Sequence, residues 1–195
     1  KDRTRDAELA EFPVPDRVTV PMLQHIGSPA EPVVEKKDDV RKGQLIGRAQ
    51  GFISAAVHSP VSGTVKSVGK CIHNPTGRMV KAVVIDNDGE DRWAEGCGQK
   101  RDVDGLAPGD IVDIVQEAGV VGLGGAAFPA HVKLAPPPEK SISDVFINGA
   151  ECEPFVNCDY RLMVESTSAV VEALRLLMRT VDAPRGHIGI EANKP

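Results

Sequence analysis

Between Arg17 and Gly89 apolar residues come in short runs, and each run is cut by glycine or by a charged turn. Val18 and Val20 alternate, and Val33-Val34, Leu45-Ile46, Ile53, Val57, Val65, Val68 and the stretch from Val80 to Ile85 come after them. Turn signals stand between them at Gly27, Lys37-Asp38-Asp39, Gly43, Gly51, Gly63, Gly69, Gly77 and Asp88-Gly89. Short strands at that spacing predict a compact β-domain. Beyond Ala107 the period changes. Pro108-Gly109-Asp110 reads as a helix start with Asp110 able to cap, and Ile111, Ile114, Val115 and Ala118 share one helical face. A second stripe of Val170, Leu174, Leu177 and Val181 lies between strand candidates at Asp144 to Ile147 and His187 to Ile190. Strand, helix, strand in that order predicts a right-handed parallel unit. The expected fold class is therefore α+β in two units: an arm or linker over 1–16, a β-domain over 17–95, and an α/β domain over 104–195. The last stops where a next helix is due and reads as truncated.

Composition narrows the function. The net charge of −5 gives no broad basic face for nucleic acid. Apolar runs such as Ala82 to Ile85 fall far short of the ~20 residues a membrane span needs. A chain that opens on Lys1 instead of methionine, with no secretory signal, reads as cut or processed. Cys71, Cys97, Cys152 and Cys158 form no C-x-x-C pair, so neither zinc nor an iron–sulfur cluster is expected on this chain, and free thiols are expected over a Cys152–Cys158 disulfide. His25, His58 and His73 have no acid or thiol at ligand spacing and read as packed or surface histidines. Trp93 is expected to cover an edge of the β-domain.

Chemistry concentrates in two segments. Gly119-Val-Val-Gly-Leu-Gly-Gly-Ala-Ala-Phe-Pro129 places Gly122, Gly124 and Gly125 together, where bare backbone N–H groups can approach a ligand. Asn148-Gly-Ala-Glu-Cys-Glu-Pro154 sets Glu151 and Glu153 two apart, on the same side of an extended chain at a strand's C-terminal end. Phe128 offers an aromatic face, Lys133 a positive charge for a phosphate, and Asn148 an amide for a heterocycle's edge. The dinucleotide fingerprint G-x-G-x-x-G does not fit, because Phe128 stands where its last glycine belongs and a helix precedes the loop.

These two segments, Gly122 to Leu134 and Ile147 to Pro154, resemble the RnfC family of the Rnf electron-transport complex. That family is similar in turn to the flavin-carrying, NADH-oxidising subunit of respiratory complex I. The likeness runs from about Val18 to Pro195. It implies FMN and NAD(H) as cofactors, with Gly122, Gly124 and Gly125 along the flavin and Asn148 and Glu151 near its polar edge. Glu153, Lys133 and Phe128 would lie toward the nicotinamide nucleotide. It also implies an α/β domain of Rossmann-like type, and 4Fe-4S clusters on a later part of the protein that this chain does not include. The activity implied is an ion-translocating ferredoxin:NAD+ oxidoreductase. This protein would be peripheral on the cytoplasmic face of the bacterial membrane, with other subunits of the complex as partners and ferredoxin as an indirect one.

The front half carries a second resemblance. Lys36 to Ile46 and His58-Ser-Pro-Val-Ser-Gly-Thr-Val65 are similar to the barrel-sandwich hybrid of biotinyl and lipoyl carrier domains. The carrier lysine's place at the hairpin tip is held by Phe52, so no amine is there to acylate. Two departures bear on the flavin site: Leu123 fills the slot of an arginine in the complex I relatives, and Ala150 that of an aspartate. The alternatives are a scaffold or quinone-site protein, like NqrA of the sodium-pumping NADH:quinone reductase, and a cobalamin-reductase relative. The glycine loop with Glu151 and Glu153 speaks against the first, and the β-domain with Gln24-His-Ile-Gly27 against the second.

Overall fold

A computed structural model describes residues 4–99, 102–123 and 125–194. The chain divides into two compact units, one running from Pro13 to Lys133 and one made of the residues up to Phe12 together with those from Leu134 onward.

The first unit is built on β-strands that the short apolar runs predict. They are β1 (Arg17–Pro21), β2 (Glu31–Pro32), β3 (Asp39–Val40), β4 (Leu45–Arg48), β5 (Val57–His58), β6 (Gly63–His73) and β7 (Arg78–Asn87). They form a four-stranded sheet in the order β1-β7-β6-β3 and a three-stranded sheet in the order β2-β4-β5. Every pairing in both is antiparallel. Alternation puts Val20, Val65, Val83 and Ile85 on one face, where they pack with Met22, Val34, Val40 and Ile46 into a continuous buried core. Trp93 bridges to Lys42, whose ammonium lies 4.6 Å from its ring centroid, so the indole does flank this unit.

The same unit continues through α1 (Pro108–Glu117) and into α2 (Ala130–Leu134). The segment expected to open the α/β domain thus packs with the β-strands. Helix α1 starts one turn earlier than a capping Asp110 requires. Ala107 takes the cap position, Pro108 comes next, and the Asp110 carboxylate reaches back to accept the Ala107 N–H at 2.9 Å.

The second unit pairs β8 (Asp144–Asn148) with β9 (Arg185–Gly189) in parallel. The Asp144 carboxylate accepts Arg185 Nε at 2.7 Å and Nη2 at 2.8 Å, which locks the register at the strand starts. One long helix is expected between the strands, but two form: α3 (Cys158–Glu165) and α4 (Thr167–Thr180). Ser166 leaves helical geometry between them (φ −132, ψ 37), where Thr167 turns its hydroxyl back to the Met163 carbonyl at 2.6 Å. The α4 stripe buries Leu174 against the strands. The N-terminal stretch, expected as an arm or linker, is held to this unit: Asn157 Nδ2 donates to Thr4 Oγ1 at 2.8 Å, and the Leu9 N–H donates to Glu165 at 3.1 Å.

Candidate functional site

The predicted site residues fall in both units. Gly122, Gly125, Phe128 and Lys133 belong to the first, and Asn148, Glu151 and Glu153 to the second. Gly124 lies outside the described residues.

Within the first unit the glycine segment is a closed loop. Val121 bridges to Pro129, the Gly122 N–H donates to Phe128 O at 2.9 Å, and the Ala130 N–H donates to Val120 O at 2.9 Å. Its tip carries the fully projecting Leu123, 94% exposed. Gly125 (φ 126) and Ala127 (φ 47) take left-handed backbone, and a Cβ added at Gly125 would meet nothing. Lys133 leans over the loop. Its Nζ lies 3.4 Å from where a Gly122 Cβ would sit and 5.9 Å from the Phe128 ring centroid. Among the described residues this ammonium has no acidic partner. Bare backbone beside an unpaired cation is a donor set that fits a phosphate or other anionic group.

In the second unit the chain does not continue extended after β8. Asn148 Oδ1 accepts the Ala150 N–H at 3.1 Å, an Asx turn that ends the strand and redirects the backbone. The two carboxylates consequently have different surroundings: Glu151 is 2% exposed, and Glu153 is exposed. Glu151 acts as the N-cap of α3. It accepts the Asp159 N–H at 2.9 Å and the Tyr160 N–H at 3.3 Å, two donors the helix cannot satisfy internally. Asn157, in the cap position by sequence, gives its side chain to Thr4 and Lys194 instead.

The Lys194 ammonium lies 3.7 Å from Glu151 Oε2 and 4.6 Å from the Tyr160 ring centroid, with its side chain 2% exposed. Burial pushes the Glu151 pKa up, but the backbone donors, the Cys158 thiol and Lys194 together outweigh it, and the carboxyl stays below its ordinary range. Glu151, Cys158 and Asp159 place one ligand atom each within 4.8 Å of one another. That carboxylate is already engaged by the helix, and the Cys158 thiol is pushed up by burial and by Asp159. All four cysteines are free.

Nothing along the sequence assigns a role to His131, Asn157 or Lys194. Each is buried through contacts distant in the chain, and no local spacing signals them.

Two family models match this chain: the RnfC Barrel sandwich hybrid domain over residues 1–90 and the Nuo51 FMN-binding domain over 115–195. The C subunit of the proton-translocating ferredoxin:NAD(+) oxidoreductase complex from Clostridium ljungdahlii is 43% identical over 195 residues, all of this chain. The chain belongs to the RnfC family. It is also 42% identical to the C subunit of the Na(+)-translocating ferredoxin:NAD(+) oxidoreductase complex of Acetobacterium woodii, and 39% identical to that of the ion-translocating oxidoreductase complex of Rhodobacter capsulatus. The chain is covered throughout in each case, but it spans only 42%, 44% and 38% of these relatives' own lengths. Family membership does not favour the scaffold or cobalamin-reductase alternatives. The barrel-sandwich hybrid in front and an FMN-binding-type α/β part behind agree with the expected order.

Proposed function

We propose that the protein containing this chain is an NADH-linked flavin and iron–sulfur oxidoreductase. It would work in an ion-translocating ferredoxin:NAD+ oxidoreductase complex, with this chain supplying the residues that hold FMN and NAD(H). The observation that carries the reading is Lys133 over Gly122 in a loop of bare backbone. FMN, when bound, exchanges hydride as a two-electron unit and passes single electrons onward.

The chain's own residues bind and orient. Gly122, Gly124 and Gly125 let the backbone lie against the flavin, and Lys133 balances a phosphate. Phe128 gives an aromatic face toward the nicotinamide nucleotide. Asn148 and Glu153, exposed at the end of β8, hydrogen-bond polar edges of flavin and nucleotide. Glu151, assigned by resemblance to the flavin's polar edge, contributes by fixing the start of α3 beside Asn148 and Glu153. The second unit forms part of a Rossmann-like domain.

The 4Fe-4S clusters that accept the electrons would lie in the rest of the protein. Its partners would be the other subunits of the complex, with ferredoxin reached through them, on the cytoplasmic face of the bacterial membrane. Among the described residues no helix is long and apolar enough to cross a membrane, which suits a peripheral protein.

The test is an FMN titration of the full-length protein, monitored by flavin fluorescence quenching. Lys133→Ala and Glu153→Gln are the informative variants, because both side chains are exposed and their loss leaves the fold intact. Lys133→Ala is expected to weaken FMN or NADH binding about tenfold, the worth of one charge-assisted contact. Full-length protein that binds no flavin would sink the proposal.

A further inference from the structure

The glycine loop is seated on the β-strand unit at three points, each carried by a different residue. At its start, Gly119 has φ 69, and a Cβ added there would lie 2.2 Å from Ala56 O, so the end of α1 rests directly on that backbone. In its middle, Ile26 donates its N–H to Ala127 O at 3.2 Å. At its end, His131 on α2 donates from Nε2 to Phe52 O at 3.0 Å, and its ring meets the Phe52 ring edge-on with centroids 6.3 Å apart. His131 is only 3% exposed, and its other nitrogen, Nδ1, has no hydrogen-bond partner among the described residues. A buried imidazole with one unsatisfied nitrogen is a costly way to fill space. The one bond it does make is to the hairpin tip.

The seat itself is cross-tied. Ser28 N–H donates to Ile53 O at 2.9 Å, Ala55 N–H donates to His25 Nε2 at 3.1 Å, and Ser54 Oγ donates to Ser28 O at 2.8 Å. His25 and Ser54 are both buried. The segments 24–28 and 50–56 therefore brace each other, and the loop bears on both.

We infer that segments 24–28 and 50–56 of the β-strand unit form a fixed mount that sets the glycine loop's conformation, with His131 as the positioning residue that clasps the loop to it. The tip that carries a mobile arm in carrier domains is here immobilised through its own carbonyl. The mount holds the left-handed backbone at Ala127 and Gly125 ready for a ligand, so that the ordering cost is met on folding and not on binding. The consequence for flavin affinity rests on the function proposed above. The mount itself does not.

The experiment uses the full-length protein without flavin. Amide hydrogen exchange is read at Gly122 and Ala130, whose N–H groups close the loop, with β6 and β7 amides as the internal control. His131→Leu is expected to speed exchange at both loop amides about tenfold, the loss of one buried hydrogen bond, and to leave the strands unchanged. His131→Gln, which keeps a donor at that reach, should recover most of the protection. FMN titration of the same proteins should show about tenfold weaker binding in His131→Leu and recovery in His131→Gln.

Loop exchange in His131→Leu within twofold of wild type overturns the mount. If His131→Leu does not fold, Ile26→Pro removes the second clasp at a side chain that is half exposed, and the same two readings apply. Wild-type protein that shows the exchange pattern but binds no flavin removes the proposed function and leaves the mount standing.

Discussion

Glu151 shows how a single carboxylate can be mistaken for a ligand. Its oxygens face the first N–H groups of α3 and the buried Lys194 ammonium. Glu151→Ala leaves that ammonium buried without its counter-charge and two helix donors unmet, so a loss of about 3 kcal/mol is expected in urea unfolding. Glu151→Gln, which still accepts from the backbone, should lose about half as much. A flavin-binding defect in Glu151→Ala therefore reports folding first, and the exposed Glu153 and Lys133 are the better probes. With its pKa held below the ordinary range, Glu151 stabilises the fold above that range. The contribution disappears as pH falls through the lowered folded value.

His58 acts in the same sense at higher pH. Burial pushes its pKa below 6.5, so below that pH the unfolded chain takes up a proton that the folded one resists. Stability should decline as the solution is acidified from neutrality, and His58→Gln should flatten that slope in pH-dependent melts.

Among the elements, the glycine loop depends most on its support. Gly119→Val combines a left-handed φ with a Cβ 2.2 Å from Ala56 O, and neither can relax without moving α1 off the strands. A loss of about 3 kcal/mol or more is expected by thermal unfolding, against a near-neutral Gly105→Ala, where an added Cβ meets nothing. Equal effects at the two positions would mean that α1 does not rest on Ala56. The elements themselves were largely legible. Alternating valines announced β1 and β7, and the i, i+3, i+4, i+7 stripe announced α1. The break at Ser166 was not, because it depends on a side-chain hydroxyl competing for a helix carbonyl, which leaves the apolar period on either side undisturbed.

Taken as a chain, the protein holds its continuous apolar core between Pro13 and Lys133. Residues 13–133 expressed alone should fold cooperatively, with a sharp thermal transition, whereas the other unit has a two-stranded sheet and few fully buried side chains. A broad, non-cooperative melt of 13–133 would contradict that division. The glycine cluster, the acids after β8, the order of strands and helices and the family likeness could all be read along the chain, because each depends on spacing over a few residues. The packing of 104–133 with the β-strands, the capping by Glu151, the burial of Lys194 and the His131 contact to Phe52 could not. Each is a contact between segments far apart in sequence, chosen by which buried donor and acceptor the fold brings within hydrogen-bond reach.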